Sequence, residues 1–244
     1  MNTDNTKLPL PNWLDQVAVF DTETTGLDLK ESRIVTAALH LINSSGELLE
    51  GGRDWLINPG VPIPPESSRV HKVFDADVVN AQDSKSGVTE IIAAIQDCFD
   101  KGIPVVAYNA PYDFTILHYE AKRHGLEPLR FGFVIDPLVI DKTVDKYRKG
   151  KRTLESAAER YGVPLENAHT ASDDAIAAGH VGLAILRYFM AQQKPVVSFP
   201  NSLEELHNLQ AKWADEIEQS YAAWRKQERP DYVPQFGWPV RTLN

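Results

Sequence analysis

The residue types that could do chemistry in this chain are four carboxylates and one histidine. Asp21 and Glu23 stand two positions apart near the start of the chain. Asp113 lies far downstream, and His169 precedes Asp174 by five positions. Carboxylate oxygens are preferred ligands of Mg²⁺ and related cations, and a neutral histidine can accept a proton from an attacking water. The set suits two-metal hydrolysis of a phosphodiester.

The first carboxylate pair follows a short apolar run, residues 16–20, that predicts a buried strand. Because side chains alternate along a strand, we expect Asp21 and Glu23 on one face and Thr22 on the other. Two carboxylates at this spacing can bridge cations about 3.5–4 Å apart. Taken alone, an Asp-x-Glu pair is more often a solvated acidic turn.

The other candidates also have ordinary explanations when each is taken alone. Asp113 opens a predicted helix, where an aspartate is often only an N-cap. Asp174 falls one turn inside a helix predicted to begin near residue 171, and His169 lies just before that helix, so both can face one cleft. Asp173, the neighbouring carboxylate, is turned about 100° away along the helix. A lone histidine is usually structural or exposed.

Three segments resemble, in order and in wording, the motifs of the DEDDh (DnaQ-like) 3′–5′ exonucleases. That family includes the proofreading epsilon subunit of bacterial DNA polymerase III, RNase T and oligoribonuclease. Phe-Asp-Thr-Glu-Thr-Thr-Gly-Leu at 20–27 matches the first motif nearly letter for letter. Tyr-Asn-Ala-Pro-Tyr-Asp at 108–113 keeps the Asn, Ala and Asp of the second, with Tyr in place of the usual His and Phe. His-x₄-Asp, from His169 to Asp174, matches the third, and the resemblance ends near Gln192.

The resemblance implies a catalytic site that holds two divalent cations, Mg²⁺ or Mn²⁺. Four carboxylates would bind these cations and would thereby be catalytic residues: Asp21, Glu23, Asp113 and Asp174. His169 would accept the proton of the nucleophilic water.

The resemblance also implies a set of residues that contact the 3′-terminal nucleotides: Thr22, Thr24, Thr25, Gly26, Leu27, His71, Asn109 and Tyr112. Gly26 would let the backbone approach the sugar or base, and Leu27 would offer an apolar contact. Tyr112 would stack on the penultimate base. A simple turn for Gly26 and a surface loop for His71 remain open alternatives.

The elements that must position these residues can be read from the apolar pattern. Five strands are predicted, over residues 16–20, 33–42, 53–57, 103–107 and 131–135. Helices are predicted over residues 88–99, 112–124, 153–161 and 171–192. A three-strand meander followed by alternating helix and strand predicts an α/β fold with a mixed sheet. The resemblance implies the ribonuclease H-like form, a mixed five-stranded sheet flanked by helices.

The composition of the chain changes from Lys194 onward. Residues 195–200 form a predicted linker, 203–227 an amphipathic helix, and 230–239 an irregular aromatic segment. We therefore expect an exonuclease domain over 12–192 and a linker with a C-terminal helical extension over 193–244. The extension is expected to pack against the core or to bind a polymerase or repair partner.

The overall composition is that of a soluble globular protein. The 244 residues are 43% hydrophobic and 24% charged, with one cysteine, no apolar run of membrane-spanning length and no basic-then-apolar start. We expect no membrane association and a cytoplasmic location. The net charge of −9 argues against a long surface that tracks duplex DNA, but not against a nuclease whose cations attract one strand end.

One dense group of basic residues has two open explanations, a binding site for upstream phosphates or a solvated loop: Lys142, Lys146, Arg148, Lys149, Lys151 and Arg152.

The function that the sequence predicts is a metal-dependent 3′–5′ exonuclease releasing nucleoside 5′-monophosphates. Single-stranded DNA is the first choice of substrate, because the first and third motifs look closest to proofreading relatives. An RNA 3′-end trimming enzyme similar to RNase T or oligoribonuclease is the alternative. A catalytically inactive binding module would be marked by loss of a motif carboxylate, and none is lost.

Overall fold

The structure is a computed structural model that describes residues 8–165 and 170–243. Its strands are β1 (Gln16–Thr24), β2 (Ile34–Asn43), β3 (Leu48–Asn58), β4 (Gln82–Asp83), β5 (Val105–Val106) and β6 (Val134–Ile135). Its helices are α1 (Pro65–His71), α2 (Asp75–Val78), α3 (Ser84–Asp100), α4 (Pro111–His124), α5 (Pro137–Val144), α6 (Leu154–Tyr161), α7 (Ala171–Ala191) and α8 (Leu203–Glu228).

The strands form one mixed sheet in the order β4-β3-β2-β1-β5-β6. β1, β2 and β3 pair antiparallel as a meander, while β5 pairs parallel to β1 and β6 parallel to β5. The predicted α/β mixed sheet is confirmed, with six strands rather than five. The additional strand, β4, is two residues long and pairs with the end of β3, and so short a segment has no periodic pattern to predict it.

β1 lies in the middle of the sheet and buries both of its faces. Val17 and Val19 join the core that α7 covers, whereas Ala18 and Phe20 join the core beneath α3 and α4. The alternation follows from the strand period of two. On the α7 side, a Cβ at Gly179 would collide with Val19, so this glycine lets the helix approach β1 closely.

The structure differs from the predicted elements mainly at their ends. β1 continues four residues beyond its predicted end and so carries the first carboxylate pair within the ladder. β5 and β6 each keep only two of the five residues predicted for them. α1, α2 and α5 were not predicted, since all three are eight residues or fewer and too short to establish a helical period.

The helix α8 is packed against the sheet edge formed by β6. Leu206 and Trp213 lie in the core that α5 and α7 share. His207 Nδ1 accepts the backbone N–H of Val134 at 3.0 Å, and Gln210 Nε2 donates to the carbonyl of the same residue at 3.0 Å. Side chains of α8 therefore occupy the free edge of β6. The division of the chain at residue 192 remains a prediction.

The basic cluster expected after α5 is partly structural. Arg148 Nη2 and Arg152 Nη1 donate to Asp141 Oδ2 at 2.5 and 2.9 Å, and Tyr161 donates to Asp141 Oδ1 at 2.6 Å. Asp141 is fully buried and the two arginine side chains are nearly so. These two arginines fasten the loop after α5 to Asp141, and Tyr161 joins α6 to the same carboxylate, so the two guanidinium groups have a structural role.

Across residues 8–165 and 170–243, none of the helices has both the length and the apolar content needed to cross a bilayer.

Candidate active site

Three of the four predicted carboxylates converge between β1 and α7. Asp21 and Glu23 occupy alternate positions of β1, on the face toward α7, and Asp174 lies in the first turn of that helix. One carboxylate oxygen from each lies within 4.8 Å of the other two. α7 begins here because Thr170 caps it, accepting the backbone N–H of Asp173 at 3.1 Å. Asp173 itself accepts the Thr170 hydroxyl at 2.8 Å and lies outside the group.

Asp113 approaches the group from the other face of β1. It lies in the first turn of α4 and is only 2% exposed. Its Oδ1 accepts both the backbone N–H of Thr22 at 3.0 Å and the Thr22 hydroxyl at 2.7 Å. Thr22, predicted among the nucleotide contacts, is thus buried and bound to Asp113, on the face opposite to that of Asp21 and Glu23.

Burial and mutual repulsion raise the pKa values of these carboxyl groups. The pKa of Asp21 is well above its ordinary range, first through burial and then through the charges of Asp113, Glu23 and Asp174. Burial and the charges of Asp174 and Asp113 raise the pKa of Glu23 to about 7. Burial raises the pKa of Asp113 to about 7, against the opposing effect of the Thr22 hydrogen bonds. Carboxylates this close to one another cannot all be ionised without a large energetic cost unless a positive charge is bound beside them.

The arrangement fits divalent cations. Hard cations such as Mg²⁺ and Mn²⁺ take oxygen ligands, and the three convergent groups offer carboxylate oxygens only. A bound cation would also offset the repulsion among these carboxylates, which together with burial raises the pKa values of Asp21 and Glu23. Asp113, buried alongside, can take part in the same binding.

A cleft of about 440 Å³ adjoins the carboxylate group. It is lined by Glu23, by five of the predicted nucleotide contacts and by three further residues of α1: Thr24, Gly26, Leu27, His71, Tyr112, Glu66, Ser67 and Val70. Leu27 is 85% exposed at its rim, which is unusual for a large apolar side chain. The volume is in the range of about 300–1,000 Å³ typical of small-ligand sites.

His71 enters this cleft from the end of α1. It is only 5% exposed, and its Nδ1 accepts the backbone N–H of Val73 at 3.1 Å. A neutral ring with Nδ1 as acceptor carries its proton on Nε2. Among residues 8–165 and 170–243, no group meets full hydrogen-bond geometry to that buried Nε2, although the Thr24 carbonyl lies close enough to the ring to favour its protonated form. Burial lowers the pKa of His71, with the nearby Thr24 carbonyl opposing the shift, so the ring is a neutral donor at neutral pH.

Tyr112 is hydrogen-bonded to the end of β1 and to the loop that follows it. Its hydroxyl donates to the Gly26 carbonyl at 2.8 Å and lies 2.8 Å from the Thr24 hydroxyl. Burial raises the pKa of Tyr112 to about 12, so the hydroxyl keeps its proton. The Tyr ring that stands where the family usually has Phe therefore adds a hydrogen bond that a Phe cannot make.

Two predicted contacts lie away from this cleft. Thr25 is buried, and its hydroxyl oxygen accepts the backbone N–H of Arg33 at 2.9 Å. Asn109 has a φ of 66° and lines a separate cavity between the core and the C-terminal segment. His169, the predicted base, lies outside the described residues.

Sequence reasoning missed Asp136, the residue that shapes the turn before Asp113. This fully buried carboxylate accepts the backbone N–H groups of Asn109 and Ala110 at 3.0 and 3.1 Å and that of Leu138 at 3.0 Å. Trp238 Nε1 donates to it at 3.3 Å. The signal was present, because Asp-Pro after an apolar strand is a typical helix start.

Comparison with known proteins places most of the chain in one family. The exonuclease family model (RNase_T) matches residues 18–181. An epsilon-like DNA polymerase III protein of Rhodobacter capsulatus is 32% identical over 176 residues, which is 69% of this chain and 23% of the relative. DNA polymerase III subunit epsilon of Treponema pallidum is 30% identical over 156 residues, 64% of this chain and 69% of the relative. A PolC-type DNA polymerase III of Lacticaseibacillus paracasei is 28% identical, and the match spans 11% of its length.

Solved structures share the fold at low sequence identity. Exonuclease X in complex with 5′ overhanging duplex DNA gives a TM-score of 0.54 at 18% identity, covering 80% of this chain and 99% of that one. Exonuclease I of E. coli in complex with a dA16 oligonucleotide gives a TM-score of 0.60 at 14% identity, covering 73% and 41%. The ribonuclease H-like arrangement implied by the motifs is confirmed. The chain belongs to the DEDDh (DnaQ-like) 3′–5′ exonuclease family.

Proposed function

We propose that this protein is a metal-dependent 3′–5′ exonuclease that releases nucleoside 5′-monophosphates from single-stranded DNA ends. The observation that carries the proposal is the group formed by Asp21, Glu23 and Asp174, whose oxygens lie within 4.8 Å of one another. Burial and repulsion raise the pKa values there, which is the electrostatic condition that a pair of bound cations relieves.

In this mechanism Asp21, Glu23 and Asp174 would hold the cations, and Asp113 would take part from the opposite face of β1. Divalent cations bound there would lower the pKa of a nucleophilic water and offset the negative charge on the phosphate. Thr22 fixes Asp113 through two hydrogen bonds. His169 is the proposed base that takes the proton of the attacking water, and it must be neutral to do so.

The cleft beside the carboxylates is the proposed site of the 3′-terminal nucleotide. The Nε2–H of His71, which makes no well-formed hydrogen bond among the described residues, can donate to a sugar or base oxygen, and the exposed Leu27 can pack on a base. Gly26, with its carbonyl held by Tyr112, keeps the loop backbone in place against the sugar.

DNA is proposed over RNA because the relatives include a DNA polymerase III epsilon subunit and the similar structures are complexes with duplex DNA and with a dA16 oligonucleotide. The RNA-trimming alternative would need a partner for the 2′-OH in the cleft. A role in replication or repair, with a polymerase or repair protein bound through the C-terminal extension, is part of the proposal, as is a cytoplasmic location.

The direct test is a time course on matched 5′-labelled DNA and RNA oligonucleotides with Mg²⁺, Mn²⁺ or EDTA. We expect a ladder that shortens from the 3′ end, faster on DNA, and absent in EDTA. The Asp21→Ala variant should be inactive, which excludes a contaminating nuclease. Cleavage that persists in EDTA, or no cleavage of either polymer by the native protein, would remove the proposal.

The assignment of the base has its own test. His169→Ala should slow hydrolysis by a few orders of magnitude, in line with the roughly 10²–10⁴-fold contribution of general acid–base catalysis. Activity should fall in acid, because a protonated imidazole cannot accept the proton of the attacking water. A near-normal rate for His169→Ala would show that another group is the base.

A further inference from the structure

The C-terminal segment of the chain builds one wall of a second cavity next to the proposed nucleotide cleft. This cavity has a volume of about 750 Å³ and lies between the loop after β1 and residues 233–243. It shares Leu27 and Tyr112 with the smaller cleft, so the two spaces adjoin. The family match ends at residue 181, and the wall formed by the tail is therefore a feature of this chain outside the matched region.

The lining of this cavity combines apolar surface with positive charge. Leu27 and Val233 are 85% and 65% exposed, and Arg241 and Lys30 are the cationic lining residues. The one acidic lining residue is Asp28, whose Oδ1 accepts the backbone N–H groups of residues 30 and 31 at 2.9 and 3.1 Å. Exposed apolar side chains beside cations match a nucleic acid strand, which presents base faces and phosphates.

The tail is held in place on the core and can act as a fixed wall. The backbone N–H of Arg241 donates to the buried hydroxyl of Thr115, in α4, at 2.9 Å. The Arg241 guanidinium donates to the carbonyl of Gln235, and both residues line the cavity. Trp238 packs on His207 with ring centroids 5.0 Å apart and donates to Asp136 at 3.3 Å. A preorganised cation of this kind loses little freedom when it binds a phosphate.

We propose that the cavity between the loop after β1 and the C-terminal tail binds the nucleotides on the 5′ side of the scissile bond, with Arg241 contacting a backbone phosphate. The inference rests on the proposed exonuclease function. A strand whose 3′-terminal nucleotide fills the His71 cleft must leave through an adjoining space, and this cavity adjoins it at Leu27 and Tyr112. The tail then extends the substrate site beyond the family core.

The test compares two substrates that differ in upstream phosphates. Thymidine 5′-(4-nitrophenyl phosphate) is a single nucleotide with a chromogenic leaving group, whereas dT12 carries a chain of upstream phosphates. Two variants disturb the cavity: Arg241→Gln removes the cation, and Val233→Glu adds a negative charge at an exposed position. Val196→Glu is the matched control, since Val196 is 57% exposed and follows the far end of α7, whose last residue lies roughly 26 Å from Asp174 by helix rise.

For Arg241→Gln and Val233→Glu we expect KM for dT12 to rise about tenfold, as for loss of one charge-assisted phosphate contact, with the single-nucleotide substrate unaffected. The slope of log KM for dT12 against the logarithm of the salt concentration should decrease by about 0.7 in Arg241→Gln, the amount expected for one lost phosphate contact. Val196→Glu should behave as the native protein does.

An equal fall in kcat/KM for both substrates would show that the variants disturb the catalytic site. An unchanged KM for dT12 would show that the strand does not pass through this cavity. Either result overturns the inference. If the native protein hydrolyses neither substrate, the result refutes the proposed exonuclease function and leaves strand binding in the cavity to be tested separately. Fluorescence anisotropy with 5′-fluorescein-dT12 and Ca²⁺ then decides the inference by itself, with about tenfold weaker binding by Arg241→Gln expected and unchanged binding overturning it.

Discussion

Removing one charge from the carboxylate group should make the metal-free protein more stable while abolishing its activity. The perturbation is Glu23→Gln, which keeps the size of the side chain and takes away its ionisation. In the folded protein, burial and the charges of Asp174 and Asp113 raise the pKa of Glu23 from 4.5 to about 7. A carboxyl with a raised pKa in the folded state stabilises the fold fully below its unfolded pKa, and this contribution is lost as pH rises toward 7.

The size of the effect follows from that shift. Each pKa unit corresponds to about 1.4 kcal/mol, so at pH 8 the ionised Glu23 lowers the free energy of unfolding by roughly 2–3 kcal/mol after allowance for its partial exposure. For a chain of this length about 1 kcal/mol moves Tm by roughly 2–4 °C. Glu23→Gln should therefore raise the Tm of the metal-free protein by about 5 °C or more at pH 8, and by much less at pH 5.

The assay is thermal unfolding followed by circular dichroism in EDTA, at pH 5 and pH 8, and again with Mn²⁺. Glu66→Gln is the matched control, because Glu66 lines the same cleft but is exposed and lies outside the group of converging oxygens. Mn²⁺ should stabilise the native protein more than Glu23→Gln. If Glu23→Gln has an unchanged or lower Tm at pH 8 in EDTA, the repulsion that we assign to this group is absent.

Three other substitutions test features of the fold and the cleft. Tyr112→Phe removes the hydroxyl that holds residues 24–26. Because one hydrogen bond is worth about 1 kcal/mol, KM for DNA should rise about fivefold with kcat little changed. Steady-state kinetics test this, and a fall confined to kcat would contradict it. Asp141→Ala removes the buried carboxylate that Arg148 and Arg152 share and should cost about 3–5 kcal/mol in urea unfolding, and a cost below 1 kcal/mol would show that the network is not structural. Gly179→Ala forces a methyl group against Val19 and should cost about 1–3 kcal/mol by the same assay; unchanged stability would mean that α7 has room to move away.

The central part of the site could be predicted from sequence because it follows from local rules. The period of a strand places Asp21 and Glu23 on one face, and the register of a helix separates Asp174 from Asp173. The order of motifs supplied the topology that brings β1, α4 and α7 together, which periodicity alone does not specify. The family and its ribonuclease H-like fold could thus be predicted, although the short strand β4 and the short helices α1, α2 and α5 could not.

The parts that could not be predicted depend on long-range contacts. Thr22 is a motif residue, but its bond to Asp113 joins positions 91 apart and has no local signature. Asp136 collects donors from the turn before α4, from α5 and from the C-terminal segment, and only the folded chain brings them together. The tail carried no recognisable pattern, because its contribution is a surface and not a motif.

The pairing of α8 with the free edge of β6 has a consequence for any shortened form of the protein. A fragment ending at residue 192 would keep all the motif residues yet uncover the backbone groups of Val134 that His207 and Gln210 now occupy. An open strand edge is a template on which a second molecule can add its own strand. We therefore expect such a fragment to self-associate through the edge of β6, whereas the full chain should not. By covering this edge, α8 would protect the protein from aggregation.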